Sequence, residues 1–103
     1  MKVAVIHTAF EDAPNTVAFV ETPFAVVEEA LEYAYRWTNN VMGSWSIKEK
    51  VINGEDNGDY NKDVTVMAPL TDGYGLRSTS VGDHMLVGNT KYIVASFGFE
   101  ELV

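Results

Sequence analysis

The chain contains no cysteine. Disulfide staples, thiolate–zinc sites and a cysteine nucleophile are therefore excluded, and a reducing compartment fits this composition. Positive charge is scarce: seven Lys and Arg stand against fifteen Asp and Glu, a net charge of −8. Phosphate repulsion over most of such a surface argues against direct contact with nucleic acid. Long hydrophobic runs are missing as well. The first apolar stretch, within Lys2 to His7, is too short for a secretion signal and is soon followed by Glu11 and Asp12. Nothing approaches the length of a membrane span. Internal repeats, heptads and low-complexity segments are also lacking. These absences lead to the expectation of a soluble cytoplasmic protein with no membrane partner and no cofactor.

What is present suits one domain over residues 1–103, with 47% hydrophobic residues to build a modest core. Lys2 to Thr8 and Thr16 to Glu21 are short and β-branched, and the Pro14-Asn15 loop between them suggests a hairpin. Thr22 is a candidate helix cap, with Pro23 at the first helical position. From Phe24 to about Asn39 the residues Val27, Ala30, Leu31, Ala34 and Thr38 recur at three- and four-residue steps. Glu28 and Glu29 suit the positive end of that helix, and Glu32 with Arg36 forms an i,i+4 pair on its outer side. Asn39, Asn40 and Gly43 are expected to end it. Gly43 to Ile52 is ambiguous, and Asn53 to Asn61 reads as a polar loop. Asp63 to Ala68 alternates as a strand that Pro69 stops, and Thr71 to Ser80 reads as a connection. His84 to Val87 and Lys91 to Phe97 flank a Gly88-Asn89-Thr90 turn. The order β-β-α-(β)-β-β-β predicts an α+β fold, a mostly antiparallel sheet with one main amphipathic helix packed on one face.

Several groupings are candidates for chemistry. If Gly58 takes the sixth position of an EF-hand, Asn53, Glu55 and Asn57 fall on the first, third and fifth. The twelfth is then Val64, which cannot ligate, so the motif fails. An irregular Ca²⁺ site from Glu55, Asp56, Asp59 or Asp63 is the weaker alternative to a solvated loop. His7 and His84 lie in or beside strands without local partners. No catalytic or metal-binding residue is assigned. Arg77, Ser78, Ser80 and Asp83 form a polar elbow that could offer a guanidinium, hydroxyls and amides to an anion or small ligand. No helix opens behind it, so the helix-terminus field that favours anions is missing. The competing reading is that its polar groups satisfy the chain itself, with Gly82-Asp83 as the turn into the hairpin. Aromatic residues, including Tyr33, Tyr35, Trp37, Trp45, Tyr60, Tyr74, Tyr92, Phe97 and Phe99, exceed what the expected core needs. Trp37 and Trp45 flank the helix end and are placed to pack on each other.

The segments Ser78-Thr79-Ser80-Val81-Gly82-Asp83 and Tyr92-Ile93-Val94-Ala95-Ser96-Phe97-Gly98-Phe99 resemble the YodL-like module and small uncharacterised proteins of phages and plasmids. Those pair an upstream Thr-Asn and a Trp with an Arg-Ser-Thr-Ser-Val-Gly-Asp segment and a terminal Gly-Phe. Thr38-Asn39 and Trp45 stand in the matching places. The resemblance runs from about Trp37 to Leu102 with a gap at the acidic loop. It implies a mobile-element origin and no particular activity. The resulting expectation is a non-catalytic protein that binds and modulates a host protein, with defence or nucleic-acid machinery as natural targets. Glu28, Glu29, Glu32, Glu55, Asp56 and Asp59 are the expected partner contacts. A ligand-binding protein or enzyme using the Arg77–Asp83 elbow and a self-associating accessory phage protein are the alternatives.

Overall fold

The structure, a computed structural model, describes residues 1–68 and 75–103. The strand end at Pro69 and the first four residues of the Thr71–Ser80 connection, Tyr74 among them, lie outside the described residues.

Strand β1 (Lys2–His7) and strand β2 (Asn15–Glu21) pair as an antiparallel hairpin. Their register shifts once: Val5 faces Ala18, but Ile6 faces Thr16. Val17 is thus an extra residue in β2, and both Val17 and Ala18 are buried. Helix α1 (Val27–Trp37) follows, and two two-residue strands, β3 (Val51–Ile52) and β4 (Glu55–Asp56), form a small hairpin. Strands β5 (Val64–Val66), β6 (His84–Val87), β7 (Thr90–Val94) and β8 (Phe99–Leu102) complete the chain. The main sheet has the order β5-β2-β1-β6-β7-β8, antiparallel throughout. The fold is therefore α+β, as the order of elements predicts.

The core forms on one side of this sheet. Val3 and Val5 from β1, Val20, Val64, Met85 and Val94 pack with Ala30, Leu31 and Ala34 of α1. These three helix residues recur at i, i+1 and i+4, a narrow apolar stripe that seats one helix on a sheet. The irregular stretch after the helix adds Trp45, which is fully buried. No helix among the described residues is long and apolar enough to cross a membrane.

Four local expectations are corrected. The helix begins at Val27 with Val26 as its cap residue and no side-chain cap bond. Thr22 is not a cap because the sheet holds its backbone: its N–H donates to the Met1 carbonyl, and its own carbonyl accepts from the Met1 amino group. At the other end, Thr38 Oγ1 donates to the Ala34 carbonyl and Asn39 Nδ2 to that of Tyr35, so side chains rather than Gly43 close the helix. The polar 53–61 segment is not all loop. Asn53 and Gly54 both have positive φ, at 52° and 82°, which matches the primed turn of a two-residue hairpin. Finally, the last strand was unforeseen: β7 ends at Val94, the chain turns through Ala95–Gly98, and Phe99–Leu102 pairs back along it.

Candidate functional site

Two groups of polar side chains stand out, one at the elbow and one on the outer face of α1. At the elbow, Ser80 to Asp83 form a tight turn in which the Asp83 N–H donates to the Ser80 carbonyl. Gly82 adopts φ +96°, and a Cβ there would lie 3.2 Å from the Ala9 Cβ, so both conformation and space favour glycine. The turn aims the fully buried Asp83 carboxylate at the chain's own donors. Its Oδ1 accepts from the amides of Thr8 and Ala9 and from Arg77 Nη2. Its Oδ2 accepts from the Ser80 amide and from Arg77 Nη1 at 2.7 Å.

Arg77 is equally committed. Besides the two bonds to Asp83, its Nη1 donates to the Ser78 carbonyl, and Nε and Nη2 donate to the two oxygens of Glu11. All five guanidinium N–H groups are thereby used within the chain. Burial on its own opposes ionisation of Asp83. The Arg77 fork and the amides of Ala9, Ser80 and Thr8 outweigh it and hold the carboxyl well below the usual carboxylate range. The bonds to Asp83 and then Glu11 raise the Arg77 pKa despite partial burial. Glu11 is lowered chiefly by its bond to Arg77.

Behind this cluster runs a second chain of bonds. Thr38 Oγ1 spends its proton on the Ala34 carbonyl, so Thr79 Oγ1 must donate to Thr38, at 2.8 Å. The remaining lone pair of Thr79 then accepts from His7 Nε2 at 3.0 Å, which fixes the protonated ring nitrogen. Burial, aided by Arg77, lowers the His7 pKa against the opposing pull of Asp83 and Glu11, so the ring is neutral near pH 7. Its ring meets that of Trp45 in a T-shaped contact, 6.3 Å between centres, and the Trp45 indole N–H donates to the Arg77 carbonyl. Trp45 pairs with His7, therefore, and not with Trp37. Ser78 Oγ accepts from the Asn40 amide. Arg77, Ser78 and Asp83 are consumed in joining β1, the helix end and β6, and Ser80 contributes its amide. The elbow has no guanidinium donor left for an anion.

The acidic residues expected on the surface divide into three fates. Asp59 is fully buried, which corrects its place among the partner contacts. Its Oδ2 accepts from the amides of Val41 and Met42, and its Oδ1 lies 3.2 Å from Arg36 Nη2. Arg36 thus pairs with Asp59 and not with Glu32. Beside it, Asn57 Oδ1 accepts from the Ser44 and Asp59 amides, and its Nδ2 faces the carbonyls of Ser44, Ile47 and Glu49. Asn57 holds together a stretch that has almost no regular structure. Glu55 and Asp56 are exposed on β4. Asp63 accepts from the Tyr33 hydroxyl and pairs with Lys62, so these acids do not converge on one metal position. Among the described residues no group of three or more His, Asp or Glu is placed to hold a metal ion.

Glu28, Glu29 and Glu32 are different. All three are exposed on α1, and among the described residues none has a hydrogen-bond or ion-pair partner. They line a shallow depression with Phe24, Tyr33, Arg36 and Trp37. Phe24 meets Tyr33 edge-on at 5.8 Å between ring centres, and Tyr33 meets Trp37 at 6.3 Å. The Arg36 guanidinium lies 4.1 Å from the centre of the Trp37 ring, a cation–π contact that restrains it. Spacing explains the grouping: Glu28, Glu29, Glu32, Tyr33 and Arg36 lie three or four residues apart on one helical face. The aromatic part was missed as a row because Phe24 precedes the helix, although Tyr33 and Trp37 stand an obvious four residues apart. Compared with protein-family models, curated proteins and solved structures, the chain matches none of them.

Proposed function

We propose that this is a non-catalytic, cytoplasmic protein of phage or mobile-element origin that binds and modulates a host protein through the outer face of α1. The observation that carries this reading is the groove itself, where three exposed carboxylates, without a partner among the described residues, border a row of aromatic rings. Carboxylates offer long-range attraction and ion pairs, while Tyr and Trp bury large areas with little loss of side-chain freedom. The complementary partner surface bears Lys or Arg beside an apolar anchor. Nucleic-acid-binding and defence proteins commonly carry such basic surfaces. Glu55 and Asp56, on the separate hairpin, extend the negative field without entering the groove. The elbow lends little support to ligand chemistry, because its guanidinium and carboxylate are already saturated.

The test is affinity capture from host extract with the wild-type protein and with a Glu28→Lys, Glu29→Lys, Glu32→Lys variant. The captured protein should be lost with the variant and with Trp37→Ala, while circular dichroism shows both folded. A partner retained by all three proteins would place the contact elsewhere.

A further inference from the structure

The sheet has a second face, which lies outside the main core cluster. Strand register places Ala4, Ile6, Phe19, Leu86, Ile93 and Leu102 together on the side away from α1. The first five are half-buried or buried within the sheet and Leu102 is exposed, yet none joins the core cluster that includes Val3, Val5 and Met85. Ala4, Phe19 and Leu86 line a mainly apolar hollow beside Lys2 and Gly88. A one-sided antiparallel sheet facing water normally alternates apolar-in with polar-out. Here the outward positions form a largely apolar band across β2, β1, β6, β7 and β8, interrupted by His84 between Ile6 and Ile93 and edged by Thr16 and Thr65.

The charges on this face decide what can cover it. Its strands carry Lys2, Glu21, Lys91 and Glu100 on the same side. Two positive and two negative charges cancel, so these four positions contribute nothing to the net charge of −8. The face is neutral, apolar at its centre and bordered by both signs, which makes it complementary to itself. Six strands at about 4.8 Å spacing give a face roughly 24 Å across. A standard interface takes about 800 Å² from each partner, a modest share of the 6133 Å² exposed by one chain.

We infer that this face joins a second copy of the chain, sheet against sheet, as a two-fold symmetric dimer. The two sheets then form a sandwich with the apolar bands as its centre and Lys2 and Lys91 set against Glu21 and Glu100 of the other copy. Both α1 grooves point outward, so the dimer presents two binding sites at once. Dimerisation stands apart from the groove's own role, since the two surfaces lie on opposite sides of the sheet.

Sedimentation velocity over a concentration series tests this with four exposed residues whose replacement leaves the core untouched. Wild type should sediment as a dimer that dissociates on dilution. Lys2→Glu with Lys91→Glu makes the face uniformly acidic, and Glu21→Lys with Glu100→Lys makes it uniformly basic. Each double variant alone should weaken self-association by at least about 100-fold, with circular dichroism unchanged. Mixing the two should restore a dimer, now containing one copy of each. A monomeric wild type at every concentration overturns the inference. So does a dimer that both double variants preserve, which would point to pairing along the β8 edge, and so does a mixture that stays monomeric.

Discussion

The elbow and the α1 groove are built from the same kinds of side chain but differ in how those side chains are used. Each has carboxylates, one arginine and neighbouring rings. At the elbow, Arg77 bonds Asp83 and Glu11, and Asp83 also collects three backbone amides. On α1, Arg36 turns inward to Asp59 and stacks on Trp37, while Glu28, Glu29 and Glu32 are exposed and have no partner among the described residues. A saturated polar cluster rigidifies a fold, whereas an unsaturated one on the surface retains interaction energy for something else. Residue type alone cannot tell these apart; the count of filled donors and acceptors can.

The comparison can be broken most forcefully at Arg77. Arg77→Met leaves the Asp83 carboxylate buried without its counter-charge and should cost about 3–5 kcal/mol of stability, read from urea unfolding. A loss below about 1 kcal/mol would mean that the elbow is not a structural centre. Acid should attack the same place. Asp83 and Glu11 have folded pKa values below their unfolded ones, so their contribution is complete only above about pH 5 and is lost as pH falls below that. His7 is also lowered, so the unfolded chain takes up its proton first, and a smaller loss begins near pH 6.5 on acidification. Unfolding midpoints measured from pH 8 to pH 3 should fall in those two stages, with the upper one absent in a His7→Gln variant.

A more local cut is Thr79→Val, which deprives the His7 ring N–H of its acceptor and should cost about 1–3 kcal/mol in the same unfolding assay. At the groove the expected stability effects are smallest. Reversal of Glu28 and Glu29 near the helix N-terminus should cost about 0.3–1 kcal/mol each, while abolishing partner capture. If these reversals destabilise the fold as much as Arg77→Met does, the two regions do not differ as described.

Much of the fold could be read from the sequence because its signals are local. Lys2–His7 and His84–Val87 show short β-branched or apolar runs, and the Ala30, Leu31, Ala34 spacing marks the buried side of the helix. The helix start was misplaced because Thr22, a fair cap by type, is drawn into the sheet by Met1. Strand β8, with the sequence Phe-Glu-Glu-Leu, has no apolar alternation to announce it; it forms as a charged edge along β7. The elbow's internal bonding was one of the readings considered. Its main partner, Glu11, lies 66 residues from Arg77 and nothing local points to it. Asp59 misled for the opposite reason. It sits in the most polar stretch of the chain, yet Asn57 and Arg36 fold that stretch around it.

The placement of β1 has a consequence for how the chain reaches this state. The first strand lies in the middle of the sheet, between β2 and β6. Its hairpin with β2 can close early, but its other edge waits for residues near the far end of the chain. Thr8 finds Asp83 across 75 residues of sequence. Closing so long a loop carries an entropic cost that must be met before the contact gives anything back. During synthesis the inner edge of β1 is therefore exposed until β6 has emerged. The Asp83 carboxylate then acts as the clasp that locks the late half of the sheet onto the early half.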